Sequence, residues 1–111
     1  MLFGSKESKI QKCIEKQNAA PVIKLIGDKD DNVTLQAVAA LGKIPGDDSY
    51  NVLIALLREK TPSLRAAAVT ALAEMGDPKA KAHISHLGKT EKDAVVLEAI
   101  HKAVAKLHTQ D

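Results

Sequence analysis

The sequence predicts an all-α fold, a superhelical stack of about three helix pairs with one further helix at the C-terminal end. Three observations predict it. The apolar residues are nearly all Ala, Leu, Ile and Val, with Phe3 and Tyr50 as the aromatics and no Trp; Ala and Leu are the strongest apolar helix formers. The apolar residues recur with a helical period, and no stretch alternates as a strand does. The pattern itself also repeats. Val33, Ala37, Val38, Ala40, Leu41 and Ile44 return 31 residues later as Leu64, Ala68, Val69, Ala71, Leu72 and Met75, and a fixed period of this length marks a repeat array.

The elements follow in order. A first helix near 6–17 sets Ile10, Cys13 and Ile14 on a core stripe, beside a row of Lys6, Lys9, Lys12 and Lys16. A second, near 19–27, buries Val22, Ile23 and Ile26. The third, near 32–44, is the first copy of the aligned pattern. Gly46-Asp47-Asp48 is expected to end it with a left-handed Gly cap and to start the fourth with an Asp N-cap. The fourth helix, near 48–59, carries Val52, Leu53, Leu56 and Leu57. Thr61-Pro62 forbids its continuation, and the fifth runs near 63–75. Gly76-Asp77-Pro78 repeats the Gly-Asp punctuation, with Pro78 suited to the first helical position of a sixth helix near 78–87. Ile84 and Leu87 there align with Leu53 and Leu56, and with Ile23 and Ile26. Val96, Ile100, Ala103, Val104 and Leu107 place the seventh helix near 93–108. One domain over 1–111 is expected, with repeats near 5–30, 31–61 and 62–92 and a partial one at 93–108.

The run from Asp31-Asn32-Val33 to Ala40-Leu41-Gly42, then Gly46-Asp47, resembles a HEAT-like repeat of the phycocyanobilin-lyase type. Ser63-Leu64-Arg65 through Ala71-Leu72, then Met75-Gly76-Asp77-Pro78, resembles it more closely, including the Arg after the apolar residue. The opening Leu2-Phe3-Gly4 before a Lys-rich helix is similar to the start of small prokaryotic proteins built from these repeats. The resemblance implies a HEAT-like solenoid, an armadillo-like α-α superhelix, with first helices on its convex side and second helices on its concave side. Thr34 and Val96 stand where the family pattern has Arg, Pro45 adds a residue before Gly46, and the last repeat lacks its second helix. Lyase activity is not implied, because no catalytic residue of those proteins maps onto this chain.

Composition narrows the functions. The formal net charge is +2, from 16 basic and 14 acidic residues, too balanced to announce a nucleic-acid or membrane partner. With two aromatics there is little on which bases could stack, which argues against single-strand binding and against a glycosylase pocket for a flipped base. No apolar run approaches the length of a membrane span, and the opening residues are too few for a signal peptide. The single Cys13 has no internal partner, which fits a reducing compartment; a cytoplasmic protein is expected. Cys13 lies on the apolar stripe and reads as a core thiol.

No catalytic, cofactor or metal site is expected. His83 and His86 are three apart, within reach of one ion on a helix face, but no Cys or acidic residue completes a ligand spacing. Gly88-Lys89-Thr90 ends like a phosphate-binding loop, yet His83 stands where that motif needs its first Gly. What remains is the surface a repeat stack offers to other proteins. The candidate binding residues on the second helices are Lys24, Tyr50, Asn51, Arg58, Lys81 and Ser85. They lie off the core stripe in a mildly basic strip, and Tyr and Arg are common interface anchors. The expected function is a non-catalytic scaffold or adaptor that grips another protein on its concave face. The alternative is a small regulatory subunit that takes an acidic partner on its lysines. Val95, Val96, Leu97, Ile100, Ala103, Val104 and Leu107 give the last helix more apolar surface than one neighbour covers. That suggests a homodimer through this helix.

Overall fold

The computed structural model describes residues 5–108; the Leu2-Phe3-Gly4 opening lies outside them. Seven helices and no strand occur among the described residues. They are α1 (Lys6–Lys16), α2 (Ala19–Leu25), α3 (Asp31–Leu41), α4 (Asp47–Leu56), α5 (Pro62–Met75), α6 (Ala80–Gly88) and α7 (Ala94–His108). Each expected helix is present, with ends shifted by up to a few residues.

The odd-numbered helices stack into one layer, α1 on α3, α3 on α5 and α5 on α7. The even-numbered helices form the other: α2 packs on α3, α4 on α5 and α6 on α7. Between the layers runs a continuous core that includes Val22, Val38, Leu41, Leu53, Leu72, Ile84 and Leu107. The two layers are not equally tight. α5 and α7 are the most extensively packed pair, whereas α4 and α6 barely meet. Small residues explain the closeness of the first layer. A Cβ on Gly42 would lie 2.7 Å from the carbonyl oxygen of Ala71 and 3.0 Å from its Cα. Gly42 has an ordinary helical φ of −63°, so glycine is required there by packing and not by conformation.

The helix ends carry the corrections. Gly76 is a left-handed C-cap at φ 78°, its N–H donating to the Leu72 carbonyl, as the sequence predicts. Gly46 is not such a cap. It is the N-cap of α4 at φ 140°, ψ 167°, and α3 has already ended at Gly42. Pro45 accounts for the difference, since the residue before a proline is pushed out of the helical region. Asp47 is thereby the first residue of α4 rather than its N-cap. Asp77 does accept from the Lys79 N–H at 3.0 Å, but α6 starts at Ala80, so Pro78 lies in the turn before it. Side chains that cap a first turn are Ser5, accepting from Ser8, Asp30 from Asn32, and Asp93 from Val95 and Val96.

The apolar surface of α7 is also better covered than expected. This helix lies against both α5 and α6, which buries Val96, Ile100, Ala103 and Leu107. Among the described residues, the large apolar side chains left exposed are Val95 (68%) and Leu97 (39%).

Candidate functional site

The gap between α4 and α6 is a groove of about 640 Å³. Ile54 of α4 and Leu87 of α6, both half-buried, supply its apolar surface, and the buried Leu57, just past α4, joins the lining. Arg58 and Lys60 follow α4, His83 and His86 project from α6, and Lys92 comes from the loop before α7. Among the described residues, none of Arg58, Lys60 and Lys92 has a carboxylate partner.

One end of the groove is built around Arg65, on the first turn of α5. Its Nε and Nη2 donate to the two carboxylate oxygens of Glu91, at 2.8 and 2.9 Å. Its Nη1 donates to the carbonyls of Glu59 and Lys60, at 2.8 and 2.9 Å. One guanidinium thus ties the α4–α5 loop to the α6–α7 loop. Glu91 also accepts from the N–H groups of Lys92 and Asp93. The two side chains are 17% and 3% exposed, and paired, fork-like geometry of this kind is the strong form of such a bond. The Arg65 hydrogen bond holds the Glu91 carboxyl below its ordinary range, against the opposing effect of burial. The same bond raises Arg65. In the preceding repeat Thr34 takes the position of Arg65. Its hydroxyl donates to the Asp28 carbonyl at 3.2 Å, the counterpart of the Glu59 carbonyl. The Asp28 carboxylate pairs with Lys6 Nζ at 2.6 Å, and this bond lowers its pKa.

Of the six residues expected on the binding strip, only Arg58 lines the groove. Tyr50 stands about 12 Å away, at the other end of α4. It is half-buried, with Lys79 Nζ 5.0 Å from its ring centroid. Burial, then the charge of Asp77, raises its phenol pKa, while Lys79 opposes the shift. Lys81 Nζ lies 3.2 Å from His108 Nδ1, linking α6 to the end of α7. Lys24, Asn51 and Ser85 are exposed on α2, α4 and α6. The structure therefore brings Arg58 together with His83 and His86, not with Tyr50 or Lys81.

Elsewhere, Lys9, Lys12 and Lys16 border a depression of about 370 Å³ on α1, with Cys13 at its base. Cys13 is buried and free. Lys6, the fourth member of that stripe, is turned to Asp28. Among the described residues no group of three or more His, Cys, Asp or Glu could hold a metal ion, and no helix is long and apolar enough to cross a membrane.

Sequence reasoning missed Lys60 and Lys92, which sit in loops outside any helical pattern. It weighed His83 and His86 only as ligands. The usable signal was Arg65 itself, an Arg in the first turn of a helix, where a cation is unfavourable beside the N-terminal dipole unless a carboxylate such as Glu91 meets it.

A family model described as HEAT repeats matches residues 15–105. No curated protein matches the chain.

Proposed function

This chain belongs to the HEAT-repeat family, and on that premise we propose that it is a non-catalytic interaction module that binds another protein in the groove between α4 and α6. The observation that carries this reading is the groove itself, an apolar surface bordered by exposed cationic and imidazole groups and braced at one end by the Arg65–Glu91 pair. Pockets that fix their walls before a partner arrives bind with less ordering cost. Repeat stacks present such surfaces as a class. We propose further that its repeats are of the phycocyanobilin-lyase type, supported by Arg65 and the Gly76-Asp77-Pro78 turn. A cytoplasmic setting is supported by the buried, unpaired Cys13.

The test is photo-crosslinking in lysate of the source cell, with a photoreactive amino acid at His83 in one sample and at Gln36, on the outer face of α3, in another. A discrete protein adduct at position 83 and none at 36 is expected. Adducts at 36 alone would put the binding surface on the other layer and end this reading.

A second reading is supported by Val95 and Leu97, the large apolar side chains left exposed among the described residues: self-association through α7. Light scattering across a concentration series tests it, with Val95→Asp expected to remove any dimer. A strict monomer at high concentration rejects it.

A further inference from the structure

We infer that the occupant of the α4–α6 groove is an acidic peptide segment carrying an apolar side chain, a deepening that rests on the groove being the binding surface. The argument is one of charge already committed and charge left over. Three carboxylates line the groove: Glu59, Glu91 and Asp93. Glu91 is held by Arg65 through two hydrogen bonds. Asp93 is occupied as the cap of α7, accepting from the Val95 and Val96 N–H groups at 2.9 and 3.2 Å. Asp93 keeps its charge as a cap, so Glu59 and Asp93 stand against the three cations Arg58, Lys60 and Lys92, and the lining is left with an excess of one positive charge.

Helix polarity at first argues the other way. α4 and α6 both end at this groove, and the C-terminal end of a helix repels anions. Here several of the terminal carbonyls are already engaged. Those of Ile54, Ala55 and Leu56 accept from the next turn, as do those of His86 and Leu87. Arg65 takes two in the loop after α4, on Glu59 and Lys60. The negative ends are therefore largely satisfied within the chain, while the guanidinium of Arg58 and the ammonium groups of Lys60 and Lys92 are not. The half-buried Ile54 and Leu87 form the apolar part, which a purely ionic ligand would leave uncovered. A carboxylate-rich segment with one or two aliphatic side chains satisfies both halves.

The experiment measures fluorescence anisotropy of a short fluorescein-labelled peptide, two leucines flanked by Asp and Glu, against the full chain. A second peptide replaces Asp and Glu by Asn and Gln. The acidic peptide is expected to bind more tightly, and to weaken as salt is raised to about 0.15 M, where screening acts within about 8 Å. The double variant Arg58→Glu, Lys92→Glu is expected to lose roughly tenfold in affinity. Lys12→Glu, on the α1 stripe, is expected to lose none. Circular dichroism confirms that each variant is folded. Equal loss in the α1 variant would mean diffuse attraction and overturn the inference. Equal affinity for the two peptides would overturn it as well. In that case, amide shifts at His83 and His86 on adding the neutral peptide would leave the groove itself standing as a binding surface. If neither peptide moves those resonances, the inference fails, and the crosslinking adduct at position 83 decides separately whether the groove binds anything.

Discussion

Gly42 shows how much can depend on one missing methyl group. With an added Cβ only 2.7 Å from a backbone oxygen of α5, the neighbour cannot yield by rotating a side chain. Gly42→Ala is expected to destabilise the chain by about 1–3 kcal/mol in urea unfolding. Gly27→Ala is the control, because nothing lies within 4 Å of a Cβ there. It should be neutral or stabilising by up to about 1 kcal/mol. Ser49 poses the opposite case. It is buried, and its hydroxyl has no hydrogen-bond partner among the described residues. Ser49→Ala should raise stability by about 0.5–1 kcal/mol, read as a higher urea midpoint at unchanged slope. Gly42 was visible in the sequence as part of Ala40-Leu41-Gly42, but its reason was not, since the clash is with a residue of the next repeat. Nothing local marks Ser49 as buried.

At the scale of elements, the helices were legible and their ends only in part. The apolar stripe of α3 and α5 needs nothing but sequence spacing. The cap at Gly76 follows from a local rule that the fold obeys. Gly46 obeys a different one, because Pro45 stops the helix first. The Arg65 clamp joins two loops far apart in sequence and so was out of reach of local patterns. Removing its charge with Arg65→Met should cost roughly 2–4 kcal/mol, because a nearly buried carboxylate is left without its partner. The pair also predicts acid sensitivity. Glu91 has a folded-state pKa below its ordinary value of 4.5. Its contribution is thus present above the unfolded pKa and is lost as pH falls from there through the depressed folded value. The urea midpoint should be level from pH 7 to about 5 and fall below that. Glu91→Gln, less stable at neutral pH, should show a shallower fall. An unchanged acid slope in that variant would remove Glu91 from the account.

At the scale of the molecule, the two-layer stack follows from the repeat period, whereas the inequality of its layers does not. Tight packing of α5 on α7 and the groove between α4 and α6 depend on contacts between repeats, which a one-dimensional pattern does not resolve. The same limit scattered the expected binding strip. Positions off the core stripe were identified, but which of them share a groove is set by how far neighbouring repeats splay. In a stack where each repeat leans on its neighbours, stability varies along the array. Amide hydrogen exchange is expected to be slowest in α5 and the facing turns of α7, and fastest in α2. Uniform protection along the chain would contradict that gradient.

Thr34 and Arg65, alike in position and unlike in chemistry, bear on how such a chain can be rebuilt. Each secures the carbonyl of the loop before its helix, one with a hydroxyl and the other with a guanidinium that also needs Glu91. The second and third repeats are therefore not interchangeable parts. If their order were swapped, Arg65 and Glu91 would travel together within residues 62–92, but the guanidinium would leave behind the Glu59 and Lys60 carbonyls that it now holds. An engineer extending this array would have to copy the third repeat together with the loop that precedes it, because the guanidinium also closes on the Glu59 and Lys60 carbonyls, which lie before that repeat begins.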